Sequence, residues 1–307
     1  MLKYTIRRLL LLIPTMFFVA LITFSLAHAA PGSPFDRNDN RPLPQDAIDR
    51  LNRLYGIDKP IQEQFILFLG NAVRFDFGSS LVQNRSVNEI IGRQFPVTAQ
   101  LGVQALILAL AISLPLGVVS AIKQNSAVDY GSLFFATVGY TIPSFVIGIF
   151  LIFIFGVTLR WLPIIGWGDV RNMILPTVVL ALGPAAFITR LTRASMLEAI
   201  RQDYVRTARS KGLREQVVIV SHVMKNAMIP IATVIGPATA GLITGSFIVE
   251  TLFSVPGIGR QTIISIQQRD YPVIMATALL YAFLIAVANL TVDLVYGMLD
   301  PRIKVGK

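Results

Sequence analysis

The stretch VTAQLGVQALILALAISLPLGVVSAI, Val97 to Ile122, contains no charged residue. A helix crossing the ~30 Å hydrocarbon core of a bilayer needs roughly 20 apolar residues, and this run exceeds that. Five more stretches of the same kind flank it. Leu9 to Ala30 has His28 as its one titratable group, and Ser132 to Leu159 is uncharged. Met173 to Thr189 carries Pro176 and Pro184, and Ala227 to Val249 carries Pro230, Pro237, Gly236, Gly241 and Gly245. Val273 to Val292 ends the set, just before Asp293. Prolines would break such helices in water. In a membrane bundle, neighbouring helices satisfy the freed backbone groups. The expectation is an all-α integral membrane protein with six transmembrane helices.

Composition agrees with this. Charged residues make up 14% of the 307, against 54% hydrophobic, whereas soluble domains carry about 25% charged residues. The absence of cysteine excludes a disulfide framework, a thiolate nucleophile and a Cys-ligated metal. His28 and His222 are far apart and build no metal motif. No G-x-x-x-x-G-K-[ST] phosphate loop occurs, so ATP binding of that type is excluded. A net charge of +10 would suggest nucleic acid in a soluble protein. Here the question is which loops hold the charge, and the answer points to no nucleic-acid partner.

With the N-terminus placed inside, the inner segments hold 15 Lys and Arg residues and the two short outer connections hold 4. Both termini are therefore expected in the cytoplasm. The basic start at Lys3, Arg7 and Arg8 and the triplet Ala27-His28-Ala29 resemble a secretory signal. The apolar run between them is longer than a signal's, and the segment reads as a retained first span.

The chain divides into residues 1–30 (the N-terminus and first span), an outer loop 31–96, and a five-helix core 97–307 that contains an inner loop at 190–226. In the outer loop, Pro44 to Tyr55 and Pro60 to Phe75 both show a helical stripe, the second through Ile61, Phe65, Phe68, Leu69 and Ala72. Ser86-Val87-Asn88-Glu89 reads as a capping box opening a third helix. This small helical cap is either a packing element or a docking surface for a soluble partner.

The inner loop is the most informative part. Leu197, Ile200, Tyr204 and Ala208 share one face of a helix expected to end near Gly212, a residue able to adopt the left-handed conformation that reverses the chain. A second helix from Arg214 carries Val217, Val218, Val220 and Val223. Such a helix–turn–helix can lie among lipid headgroups or fit a groove on a protein.

Specific residues narrow the choice. Tyr204-Val205-Arg206-Thr207-Ala208-Arg209-Ser210-Lys211-Gly212, followed by Asn226-Ala227-Met228-Ile229-Pro230, resembles the cytoplasmic loop of ABC importer permeases, in the form found in the dipeptide and oligopeptide branch. Further similarity lies in Ala30 to Phe35, Asp76-Phe77-Gly78, Trp161-Leu162-Pro163, and Ile243-Thr244-Gly245-Ser246 with Glu250. Pro256-Gly257-Ile258-Gly259, Arg269-Asp270-Tyr271 and Leu299-Asp300-Pro301-Arg302 continue it. The pattern is most similar to the B-type subunit of oligopeptide permeases. One departure is that Arg206-Thr207-Ala208 stands where the general importer signature has Glu-Ala-Ala, so no role of that glutamate is carried over.

The resemblance implies the fold of a type I ABC importer transmembrane domain with an extra helical outer loop, in a bacterial cytoplasmic membrane. It implies coupling to an ATPase through Tyr204, Arg206, Thr207, Ala208, Arg209 and Gly212. The implied partners are a second permease subunit, ATP-binding subunits that hold ATP and Mg, and an extracytoplasmic peptide-binding protein, with membrane lipid around the helices. This chain itself is then no enzyme and holds no cofactor. Thr244, Ser246, Asn289 and Asp293 either line a pathway or bridge helices. Gly241 and Gly245 form a Gly-x-x-x-Gly pair, a signal for close helix approach consistent with a subunit seam. The expected cargo is an oligopeptide; dipeptide, glutathione and nickel remain open. An ion-driven transporter and a non-transporting scaffold are the rivals from other classes.

Overall fold

The computed structural model describes residues 2–29, 50 and 58–299. Among these residues the chain is helical, with no strand beyond an isolated bridge between Ser79 and Ser86. The helices are α1 (Leu2–Ala29), α2 (Ile61–Val73), α3 (Val87–Ile122), α4 (Ala127–Thr141) and α5 (Ser144–Leu151), which widens into a π-helical turn at Ile152–Thr158. Next come α6 (Val170–Ile200), α7 (Asp203–Ser210) and α8 (Glu215–Val217). A second π-helical turn, Val218–Met224, joins α8 to α9 (Lys225–Ile243). The series ends with α10 (Phe247–Leu252), α11 (Ile258–Gln268) and α12 (Tyr271–Leu299). Five of the segments are long and apolar enough to cross a membrane, or six if the bent pair α4 and α5 counts as one span.

The bend corrects the expectation of one straight span from Ser132 to Leu159. Its two halves meet at 106°. Pro143 has no N–H to continue the helix, and its ring drives Ile142 to an extended conformation (φ −83°, ψ 125°). In the fifth span Gly245 (φ +86°) makes a turn between α9 and α10 near one end, while Glu215–Leu252 as a whole still runs as one apolar span. Gly245 serves a turn and lies close against α3, where an added Cβ would collide with Thr98 Cγ2, whereas Gly241 has open space where a Cβ would stand. The reading of one inner-loop helix as far as Gly212 is corrected as well. Instead α6 runs through Ile200, Gln202 becomes extended (ψ 151°), and α7 starts afresh.

The capping box does open a helix, but that helix is α3, which runs on unbroken past residue 97 to Ile122. Ser86 makes no side-chain cap bond, and Glu89 pairs with Arg93 at 2.7 Å. The stripe over Pro60 to Phe75 becomes α2, with Phe65, Phe68, Leu69 and Ala72 half-buried and Ile61 exposed. The expected helix over Pro44 to Tyr55 falls almost wholly outside the described residues, as do Ala30 to Phe35 and Asp300-Pro301-Arg302.

At the centre α3 packs along α6, and α9 packs against both and against α12. The α3–α6 seam is made of small residues. Ala105, Ala109, Ala181 and Ala185 are buried there with Leu242. A Cβ at Gly117 would stand 2.6 Å from the Thr192 Cβ, so the two backbones touch. Hydrocarbon provides no hydrophobic drive between helices, and close backbone approach supplies the dispersion contacts instead. On the flank, α1 packs against α12 and α2. The Phe24 ring meets Phe65 at 5.1 Å and stacks on His28 at 4.0 Å, and His28 Nε2 lies 3.0 Å from Gln64 Oε1. The outer face of α1 leaves Leu10, Ile13 and Leu26 exposed, as lipid contact requires.

Candidate coupling surface and the clamps behind it

The short helix α7 has one buried face. Val205 and Ala208 insert into a cluster formed by Ala121 of α3, Met196 and Ala199 of α6, and Val218, Ile219, Val223 and Ala227. The cluster thus joins α7 to the ends of α3, α6 and α9. A force on α7 therefore reaches α3, α6 and α9 through packed side chains.

The opposite face of α7 is polar and free. Arg206 is 77% exposed and lies 3.6 Å from Asp203, an ion pair worth little in water. Tyr204 is partly exposed, and Thr207 bonds back to the Asp203 carbonyl at 3.0 Å. Arg209 reaches across the turn to Glu215, with N–O distances of 2.7 and 3.2 Å. Gly212 turns the chain at φ +77° with open space around it, so its need for glycine is conformational rather than steric. Of the six residues expected at this surface, Tyr204, Arg206, Thr207, Arg209 and Gly212 face outward, and Ala208 seats the helix.

Immediately behind this surface is an ion pair that composition did not reveal. Asp129 of α4 is 1% exposed and accepts two bonds from Arg193 of α6, at 2.6 and 2.8 Å. Ser120 Oγ of α3 donates to the same carboxylate at 2.5 Å, and the Asn125 N–H donates at 2.9 Å. Four donors from three elements thus lock the ends of α3, α4 and α6 together beside α7. The available signal was an acid two residues into a helix next to an uncharged span.

At the other end of the bundle two buried carboxylates act as clamps. Glu250 is fully buried; it accepts from Thr98 Oγ1 of α3 at 3.0 Å and from the Arg260 N–H at 2.9 Å, in the first turn of α11. Thr98 Oγ1 in turn accepts from the Ile258 N–H at 2.9 Å. The carboxylate satisfies amides at a helix N-terminus, where the macrodipole favours negative charge. The separate segments Gly245 to Glu250 and Pro256 to Gly259 are therefore one structural unit. Asp270, before α12, bonds Ser80 Oγ and the Leu81 N–H. Burial pushes its carboxyl above the usual range, against the opposing pull of these donors.

The remaining four candidates do not converge. Thr244 bonds the Ala240 and Gly241 carbonyls of its own helix, and Ser246 accepts from the Val249 N–H as the cap of α10. Asn289 is exposed on α12. Asp293 belongs to α12, with its side chain outside the described residues. Among the described residues no group of three His, Cys, Asp or Glu side chains is arranged for a metal.

Comparison with known proteins agrees with this architecture. Residues 113–305 match the family described as "Binding-protein-dependent transport system inner membrane component", and residues 1–102 match the corresponding N-terminal family. A dipeptide transport system permease protein of Bacillus subtilis is 41% identical over 100% of this chain and 99% of its own length. An oligopeptide transport system permease protein of Salmonella typhimurium is 39% identical over 99% of this chain and 100% of its own. Two solved transporters share the fold. An amino acid ABC transporter has a TM-score of 0.57 at 15% identity, covering 69% of this chain and 94% of its own. The inward-facing methionine ABC transporter MetNI has a TM-score of 0.55 at 16% identity, covering 69% and 96%. The chain is thus a multi-pass membrane protein with the type I ABC importer transmembrane fold, and it belongs to the family of inner membrane components of binding-protein-dependent transport systems.

Proposed function

We propose that this chain is the permease subunit of a peptide importer, in the cytoplasmic membrane with both termini inside. The α7 helix carries the reading. It is a short element seated by Val205 and Ala208 on the ends of α3, α6 and α9, with Tyr204 and Arg206 exposed toward a partner. An ATP-hydrolysing subunit that grips this face would rock the bundle as its own halves close. ATP and Mg would then be bound by partner subunits, consistent with the missing phosphate loop. A second permease subunit would complete the pathway, and an extracytoplasmic binding protein would deliver the peptide. The names of the relatives support a peptide cargo. Oligopeptides are favoured by the similarity at Ser33-Pro34-Phe35 and at Ile243 to Ser246, and dipeptides by the Bacillus relative.

The test is uptake of radiolabelled di- and pentapeptides into vesicles holding the complete importer. Uptake that requires ATP, the ATPases and the binding protein is expected. Uptake driven by a proton or sodium gradient without ATP would overturn the proposal.

A further inference from the structure

The geometry points to a peptide-binding groove at the α4–α5 bend, where carbonyls freed by Pro143 and the guanidinium of Arg190 hold an extended peptide. This rests on the peptide-importer reading above. The groove measures about 400 Å³ and is lined by Tyr140, Ile142, Pro143, Leu182, Pro184 and Phe187, from α4, the bend and α6. That volume is toward the lower end of the ~300–1,000 Å³ of ligand pockets and suits a short chain segment.

Depth is the first argument. α4 has 15 residues, so it rises ~22 Å at about 1.5 Å per residue. Its broken end thus falls within a ~30 Å hydrocarbon core rather than at a surface. The second argument is the backbone. α4 ends at Thr141, Ile142 is extended, and Pro143 has no N–H. The carbonyls of Gly139, Tyr140 and Thr141 therefore lack the amides that would have continued the helix. Tyr140, Thr141, Ile142 and Pro143 are all exposed. A bare carbonyl facing lipid costs several kcal/mol, and irregular backbone at this depth persists only against protein or a water-filled cavity. Among the described residues no amide or side chain donates to these carbonyls, so nothing in this subunit takes the place of the lost bonds. An extended peptide has free N–H groups and can do so.

Side chains complete the cradle. Tyr140 and Phe187 stand 6.3 Å apart and offer aromatic surface that tolerates varied side chains. The Arg190 guanidinium sits 5.5 Å from the centre of the Tyr140 ring, without an ion-pair partner among the described residues. Arg190 lies beside the groove rather than in its lining, and from the Tyr140 ring its exposed guanidinium is the charge nearest at hand for the terminal carboxylate of a peptide.

The absence of cysteine makes the test direct. Ile142→Cys and, as a lipid-facing reference, Phe18→Cys are each placed in the complete vesicle-reconstituted importer. A membrane-impermeant maleimide is expected to label Ile142→Cys but not Phe18→Cys, and saturating transported peptide should slow that labelling about tenfold, the factor corresponding to 1.4 kcal/mol. Arg190→Gln should weaken half-saturation for a free-acid peptide about tenfold while leaving its C-terminally amidated form unchanged. Labelling by lipid-soluble reagents alone would show a lipid face. Blocking of Ile142→Cys with or without peptide would show a seam with the second permease. An equal loss for both peptide forms would remove Arg190 from recognition. Each of these results overturns the groove while wild-type uptake keeps the importer reading intact.

Discussion

Arg193 grips Asp129 with two parallel hydrogen bonds, at 2.6 and 2.8 Å, and thereby joins α6 to α4 beside the surface that α7 presents. The pair is buried on the aspartate side and 19% exposed on the arginine side. Removing either partner leaves an uncompensated charge. Asp129→Ala is expected to destabilise the subunit by about 3 kcal/mol, and Arg193→Ala by a similar amount. The double variant should lose much less than the sum, which a double-mutant cycle of thermal unfolding in detergent would measure. Additive losses would show that the two groups act independently.

The Thr98–Glu250 clamp makes a related prediction at the opposite end. Glu250→Ala would leave the Arg260 N–H and the Thr98 hydroxyl buried without acceptors, costing about 1–3 kcal/mol for each. Glu250→Gln should cost less, since the amide oxygen still accepts while its NH₂ faces a donor. Thermal unfolding of the three proteins should rank wild type above Gln above Ala. Equal stability of all three would place the clamp outside the folding energetics.

Gly212 separates conformation from contact. Its φ of +77° strains a β-branched residue, whereas asparagine tolerates this region. Gly212→Val is expected to insert in the membrane yet lose ATPase-coupled uptake. Gly212→Asn should keep most of it. Equal loss in both variants would point instead to a partner contact that needs the bare backbone.

Asp270 sets a pH dependence. Its carboxyl titrates at 3.8 in an unfolded chain and higher in the folded one, with burial the largest cause. Over the interval between those values the folded chain binds the extra proton. Stability is therefore greatest at the acid end of that interval and falls as pH rises through it. Hydrogen-exchange protection of the Ser80–Leu81 segment, taken relative to the intrinsic amide rate at each pH, should rise on acidification into that interval, and Asp270→Asn should flatten the response.

The uncharged runs from Val97 to Ile122 and from Val273 to Val292 announced a membrane bundle by themselves, because the cost of burying charge in hydrocarbon acts along the sequence, residue by residue. Ala208 was legible in the same way, since helical periodicity is local, but the fresh start of α7 after Gln202 shifts the stripe, burying Val205 and leaving Tyr204 exposed. The bend at Pro143 was half legible. The proline was visible, but its consequence depended on whether neighbours supply substitutes for the lost bonds. Asp129 and Arg193 lie 64 positions apart, and Thr98 and Glu250 152. No periodicity links such residues. Only the packing of α4 against α6, and of α11 against α3 with α10 held to α11, brings each donor to its acceptor, since a hydrogen bond requires contact within about 3 Å and the order of residues along a chain does not specify that contact.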